Sequence, residues 1–138
     1  MVRAEIVVKA QFYDLDPMGV VWHGNYVRFL EQARCALLDK IGYNYEIMSE
    51  SGYLWPIVDM HIKYVRPIKF ADEIRVIATL TEYEYRIRIA YEIFRGDGDT
   101  PITKAETTQV AVAHGSEELC FESPPELIEK VHRLLQCE

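Results

Sequence analysis

The chain is 138 residues long, 49% hydrophobic and 27% charged, with a formal net charge of −7. That length suits a single domain over residues 1–138, and the composition is that of an ordinary globular protein. The acidic balance argues against nucleic acid as a partner, because phosphate binding needs a basic field. Residues 116–138 hold six acids and two bases, or −4, which leaves −3 for the rest of the chain. An anionic ligand would therefore need a local basic cluster on the main body. No apolar run approaches the roughly 20 residues that cross a bilayer, so no integral membrane segment is expected. Residues 1–5 carry no signal-peptide core, and a cytoplasmic location is expected. Cys35, Cys120 and Cys137 are odd in number and scattered, and the four histidines lack metal-ligand spacing. Neither a disulfide framework nor a metal site is expected. Cys35 sits among apolar helical residues and reads as a buried packing residue.

Residues 5–13 are rich in β-formers and read as a first strand. The turn-dense Asp14-Leu15-Asp16-Pro17-Met18-Gly19 follows. Over residues 24–42, Tyr26, Leu30, Ala33, Leu37 and Ile41 keep a helical period. Val27, Phe29, Cys35, Ala36 and Leu38 widen that stripe until little polar face remains, which predicts a helix wrapped by other elements. Period-two alternation then marks strands over residues 57–66, 73–81 and 86–94, and a Gly96-Asp97-Gly98-Asp99 turn leads into another over 102–113. Ser123 and Glu126 have capping-box spacing, with Pro124 at the first helical position, so a short helix closes the chain. Its apolar stripe suits packing or an oligomer contact. The sum is an α+β domain: five antiparallel strands curved around one long helix, plus a short C-terminal helix.

The chemistry is concentrated in residues 14–26. Pro17 keeps Asp16 out of the helical region, and Gly19 permits a tight path close to a ligand. Asp14 reads as a loop-capping residue. The long helix begins near residues 23–25, where the first backbone N–H groups lack acceptors and carry the positive end of the macrodipole. A carboxylate just upstream of such a terminus can attack a carbonyl or activate water, while the amides hold the oxyanion. Acidic residues before a helix also occur for their dipole alone, so spacing leaves both readings open. Glu31, three residues before Arg34, reads as an intrahelical ion pair rather than an alternative catalyst.

This segment resembles the 4-hydroxybenzoyl-CoA thioesterase family of hotdog proteins, including its Tol-Pal-associated acyl-CoA thioesterase branch. The shared pattern is D-x-D-x-x-G-(I/V)-V-(W/Y)-(H/Y)-x-x-Y, met by Asp14, Asp16, Gly19, Val20, Val21, Trp22, His23 and Tyr26. Glu31, Ala33 and Arg34 match further along the helix, and Tyr64-Val65-Arg66-Pro67 with residues 70–74 matches a later strand crossing. The resemblance implies a hotdog fold and hydrolysis of a small-to-medium acyl-CoA, with no cofactor and no metal. It implies Asp16 as nucleophile or general base, the His23 backbone amide as oxyanion donor, and the His23 side chain as an orienting group. Gly19, Val21, Trp22 and Tyr26 would line the substrate site, with Lys63, Arg66 and Lys69 for the CoA phosphates. It also implies a homodimer or homotetramer with sites at the subunit interface. A non-catalytic acyl-CoA-binding module and an acyl-carrier-protein thioesterase stand as alternatives.

Overall fold

A computed structural model describes residues 1–137. Five strands form one antiparallel sheet in the order β1-β4-β5-β6-β3: β1 (Arg3–Lys9), β3 (Ile57–Tyr64), β4 (Glu73–Glu82), β5 (Ile87–Arg95) and β6 (Thr103–Gln109). The long helix α1 (Asn25–Ile41) packs across β1 and β4. A short helix α2 (Tyr45–Glu50) leads to β2 (Tyr53–Leu54), which pairs with β7 (Val112–Ala113). Helix α3 (Pro125–Gln136) closes the fold. This is the α+β hotdog architecture expected. Among the described residues no helix is long and apolar enough to cross a membrane.

The period-two pattern does what it predicts in the centre of the sheet. Ile74, Val76, Ala78 and Leu80 of β4, and Ile87, Ile89, Tyr91 and Ile93 of β5, are all buried. They meet Phe29, Leu30, Ala33 and Leu37 on one face of α1. Gly42 ends that helix at φ 81°, and its N–H returns to Leu38 and Asp39. A side chain there would meet the Cβ penalty of the left-handed region.

Several expectations need correction. Helix α1 is not wrapped on all sides: Arg28, Gln32, Cys35 and Asp39 are exposed. Cys35 is therefore no buried packing residue, because it lies on the helix face turned away from the sheet. Strand β1 ends at Lys9, opposite Glu73, where its partner strand starts, and residues 12–14 coil into a 3-10 turn instead. The strand expected over 102–113 breaks after Gln109. That residue pairs with Ile87 and Ile57, the first residues of both neighbours, so the ladder runs out there. Strand β3 stops at Tyr64, and as an edge strand leaves Val58 and Tyr64 about half exposed. Helix α3 starts one residue later than its capping signal. Pro125 holds Pro124 extended at ψ 144°. Ser123 consequently stands too early to cap, and its buried Oγ finds no partner among the described residues. Helix α2 was not anticipated, although Asn44 marks it: its side chain accepts from Ile47 N at 3.1 Å.

Candidate active site

The loop from β1 to α1 is held by one buried carboxylate. Asp14 is 1% exposed. Its Oδ2 accepts from Gln11 N at 2.8 Å and its Oδ1 from the Arg28 guanidinium. Its carbonyl oxygen receives Trp22 N and Asn25 Nδ2, each at 2.9 Å. Asp14 thus bolts the start of α1 to the loop, the structural role read from sequence.

Asp16 closes the next turn. Its Oδ1 accepts from Met18 N at 2.8 Å and Val20 N at 3.4 Å. Its own backbone pairs with Val20 O and Gly19 N. Gly19 sits at φ 80°, a value that a glycine adopts without strain. An Asx-type turn would account for this much without chemistry. The remaining oxygen is the informative part: Oδ2 has no partner among the described residues, and Asp16 lines a cavity of about 290 Å³.

The opposite wall of that cavity is the start of α1. No side chain caps this helix. Trp22 O accepts from Asn25 N at 2.9 Å. Because a trans peptide sets C=O and N–H in opposite directions, this turns the His23 N–H away from the helix body. Among the described residues no acceptor engages His23 N or Gly24 N. Asp16 and His23 therefore line one small cavity together with Val21, Tyr26, Tyr64 and Arg66. Tyr26 is buried and its hydroxyl accepts from Ile68 N at 3.3 Å. Burial holds its pKa above the usual 10.0, against the lowering effect of that bond.

Five of the nine residues expected at the site line this cavity: Asp16, Val21, His23, Tyr26 and Arg66. Gly19 shapes the turn without lining it. Trp22 is half exposed and lies over Gly24, where an added Cβ would stand 2.4 Å from the indole. Lys63 and Lys69 are exposed and outside the lining, Lys63 facing Lys104 across β6. Arg66 is the one cation in the lining, and its guanidinium has no ion-pair partner among the described residues. The His23 side chain is exposed and makes only ring contacts, 5.2 Å to Trp22 and 6.5 Å to Tyr64. Met18, Val20, Tyr64, Val65 and Pro67 line the cavity without having been singled out as site residues. The Tyr64-Val65-Arg66-Pro67 motif held the signal for three of them.

A larger cavity of about 680 Å³ lies along the second half of α1, bordered by α2, Trp55 and Gln109. Two of its ionic groups, Glu31 and Arg34, are paired with each other, while Asp39 and Glu46 also line it. Glu31 Oε1 receives Arg34 Nε at 3.2 Å and Oε2 a second guanidinium bond, the ion pair anticipated from spacing. This cavity is the larger of the two, whereas the smaller one is lined by Asp16, whose Oδ2 is unpartnered among the described residues, and by His23 at the open helix start. Among the described residues no cluster could hold a metal ion.

A five-stranded antiparallel sheet packed on one long helix, in this strand order, defines a hotdog-fold protein. Family comparison agrees: the profile of the Thioesterase-like superfamily matches residues 10–131, and the chain belongs to that superfamily. YneP of Bacillus subtilis (strain 168), provisionally named an acyl-CoA thioesterase, is 29% identical over 106 residues, 76% of each chain. The DHNA-CoA thioesterase of Staphylococcus aureus superposes with a TM-score of 0.84 at 25% identity, covering 99% of this chain and 93% of that one. A 4-hydroxybenzoyl CoA thioesterase, 23% identical, shares the fold with a TM-score of 0.81, covering 94% of this chain and 99% of that one.

Proposed function

We propose that the protein hydrolyses the thioester of a small-to-medium acyl-CoA to the free acid and CoA, at the cavity between Asp16 and the start of α1. The observation that carries this reading is one cavity lined both by Asp16, with an unpartnered carboxylate oxygen, and by His23, whose helix-start amide has no acceptor. Asp16 either attacks the thioester carbonyl, forming an acyl anhydride that water then hydrolyses to the free acid and the restored carboxylate, or takes a proton from a water that attacks the carbonyl directly. The His23 amide holds the oxyanion while the C–S bond breaks, and the departing thiolate takes up a proton. Losing an oxyanion donor of this kind costs about 2.7–4 kcal/mol in the transition state. Arg66 is the cation best placed for a CoA phosphate, with Lys63 and Lys69 further out. The names of the relatives support thioester cleavage as the reaction.

The working unit in this reading is at least a dimer. Strand β3 is an open sheet edge, and antiparallel pairing with a second copy would cover it. Such pairing carries the Ile57 end of one β3 to the Tyr64 end of the other. The large cavity beside Ile57 then adjoins the partner's Asp16 cavity and offers room for an acyl group.

The test is thiol release from a panel of aromatic, short-chain and medium-chain acyl-CoAs, with an acyl-carrier-protein thioester included. Wild type should turn over at least one of them, and Asp16→Asn should lose at least a hundredfold in kcat. A variant with wild-type turnover on the best substrate removes Asp16 from the mechanism. Equilibrium binding without hydrolysis by wild type would replace the enzyme with a binding module.

A further inference from the structure

Helix α1 begins without a side-chain cap, so something else must hold its first peptides in place. The bond from Tyr26 N to His23 O is long, 3.4 Å, and is the loosest of the backbone links in that turn. A stronger tie comes from 41 residues away. The Tyr64 hydroxyl, at the end of β3, donates to the His23 carbonyl oxygen at 3.0 Å. The ring that carries it is braced edge-on against Tyr26, 4.7 Å between centroids at 78°. Tyr26 is itself buried and bound to the Ile68 amide. The Tyr64 hydroxyl therefore sits at the end of a fixed chain of groups, not on a free side chain.

From this geometry we infer that Tyr64 is a positioning residue for thioester cleavage, acting on the His23 carbonyl to hold the oxyanion amide in place. The inference rests on the proposed role of the His23 amide. Two physical effects combine. Fixing the His23 carbonyl fixes the His23–Gly24 peptide plane, and so restricts the one backbone rotation that links this plane to the His23 amide. The O–H dipole also occupies a carbonyl lone pair at the cavity wall, one that would otherwise repel negative charge developing on the substrate. Neither effect matters much until charge develops, so the loss should appear in kcat.

The test compares wild type, Asp16→Asn and Tyr64→Phe on the best acyl-CoA. Tyr64→Phe keeps the ring contacts and removes only the hydroxyl. Its kcat should fall about tenfold with KM changed less than twofold, a smaller loss than deleting an oxyanion donor outright. Its melting temperature should stay within about 1 °C of wild type, since the side chain is half exposed. The Gly24 amide resonance, which shares a peptide plane with the His23 carbonyl, should shift. A Tyr64→Phe enzyme with wild-type kcat, alongside a dead Asp16→Asn, overturns the role of Tyr64 and leaves the proposed function standing. An equal loss in kcat and thermal stability overturns it too, because the hydroxyl would then be merely structural. A wild type without any turnover overturns both readings.

Discussion

Arg28 offers the sharpest test of how the active-site loop is held. Its guanidinium bonds Asp14 Oδ1, and the two side chains differ in exposure, 46% for arginine and 2% for aspartate. Removing the cation by Arg28→Met leaves a buried carboxylate with one N–H bond, from Gln11. A fully buried pair broken from one side costs about 3–5 kcal/mol. The half-exposed arginine edge lets water reach the carboxylate, so about 2 kcal/mol is expected here. Asp14→Asn should cost only about 1 kcal/mol, because the amide oxygen still accepts from Gln11 and Arg28 becomes hydrated. The double variant should be about 1 kcal/mol more stable than Arg28→Met alone, since the uncompensated charge is gone. Urea titrations at one protein concentration measure all four. Each kcal/mol should also move the melting point by about 3–4 °C in a domain of this size. If Arg28→Met costs no more than Asp14→Asn, or the double variant simply sums the two losses, the loop is not held by this charge pair.

Two further outcomes follow from the packing. Gly24→Ala puts a Cβ within 2.5 Å of the Trp22 ring rim, but that rim is the outer end of a half-exposed side chain and can swing away. Stability should fall by less than about 1 kcal/mol, while KM for acyl-CoA rises as the displaced indole crowds the cavity mouth; an unchanged KM would exclude Trp22 from the substrate path. Tyr91 is buried against Thr107, hydroxyl to hydroxyl at 2.8 Å, and burial pushes its pKa up to about 12. The folded value exceeds the unfolded one, so this stability is complete below pH 10 and is lost as pH rises towards 12. At pH 11 the loss is about 1.4 kcal/mol. The urea midpoint of wild type should therefore drop more between pH 9 and pH 11 than that of Tyr91→Phe.

The centre of the fold was readable because burial there is one-sided and regular. Ile74 to Leu80 and Ile87 to Ile93 alternate without interruption, and α1 presents one long apolar stripe. Readability failed where a neighbour, not the residue itself, decides. Gln109 and Val112 lie in one continuous β-like run, yet the ladder ends at Gln109 because both partner strands begin opposite it. Cys35 carries no local mark of exposure; only the placement of the sheet on the other helix face sets it outward. At the site, the contiguous Asp16–Tyr26 segment was legible as one piece. The contribution of Tyr64 was not, because its hydrogen bond joins residues 41 apart and no spacing rule reaches that far. The basic residues show the same limit: of Lys63, Arg66 and Lys69, strand direction and turn geometry bring only Arg66 to the cavity.

The uncapped start of α1 is best understood by asking where its capping groups went. Asp14, Asp16 and Asn25 all stand within reach of a helix terminus by sequence, and such residues as N-caps add about 1 kcal/mol each. None is used that way. Asp14 is committed to Gln11 and Arg28, Asp16 Oδ1 to Met18 and Val20, and Asn25 Nδ2 to the Asp14 carbonyl. Each of these bonds tightens the loop, and none of them supplies an acceptor to the His23 or Gly24 amides. A helix start with Gly24 at its N-cap position and no side-chain acceptor forgoes the local stability of such a cap and leaves these two N–H groups unbonded among the described residues. The donors do not drift as a result, since Asp14 fixes the loop from below and Tyr64 fixes the His23 carbonyl from the sheet.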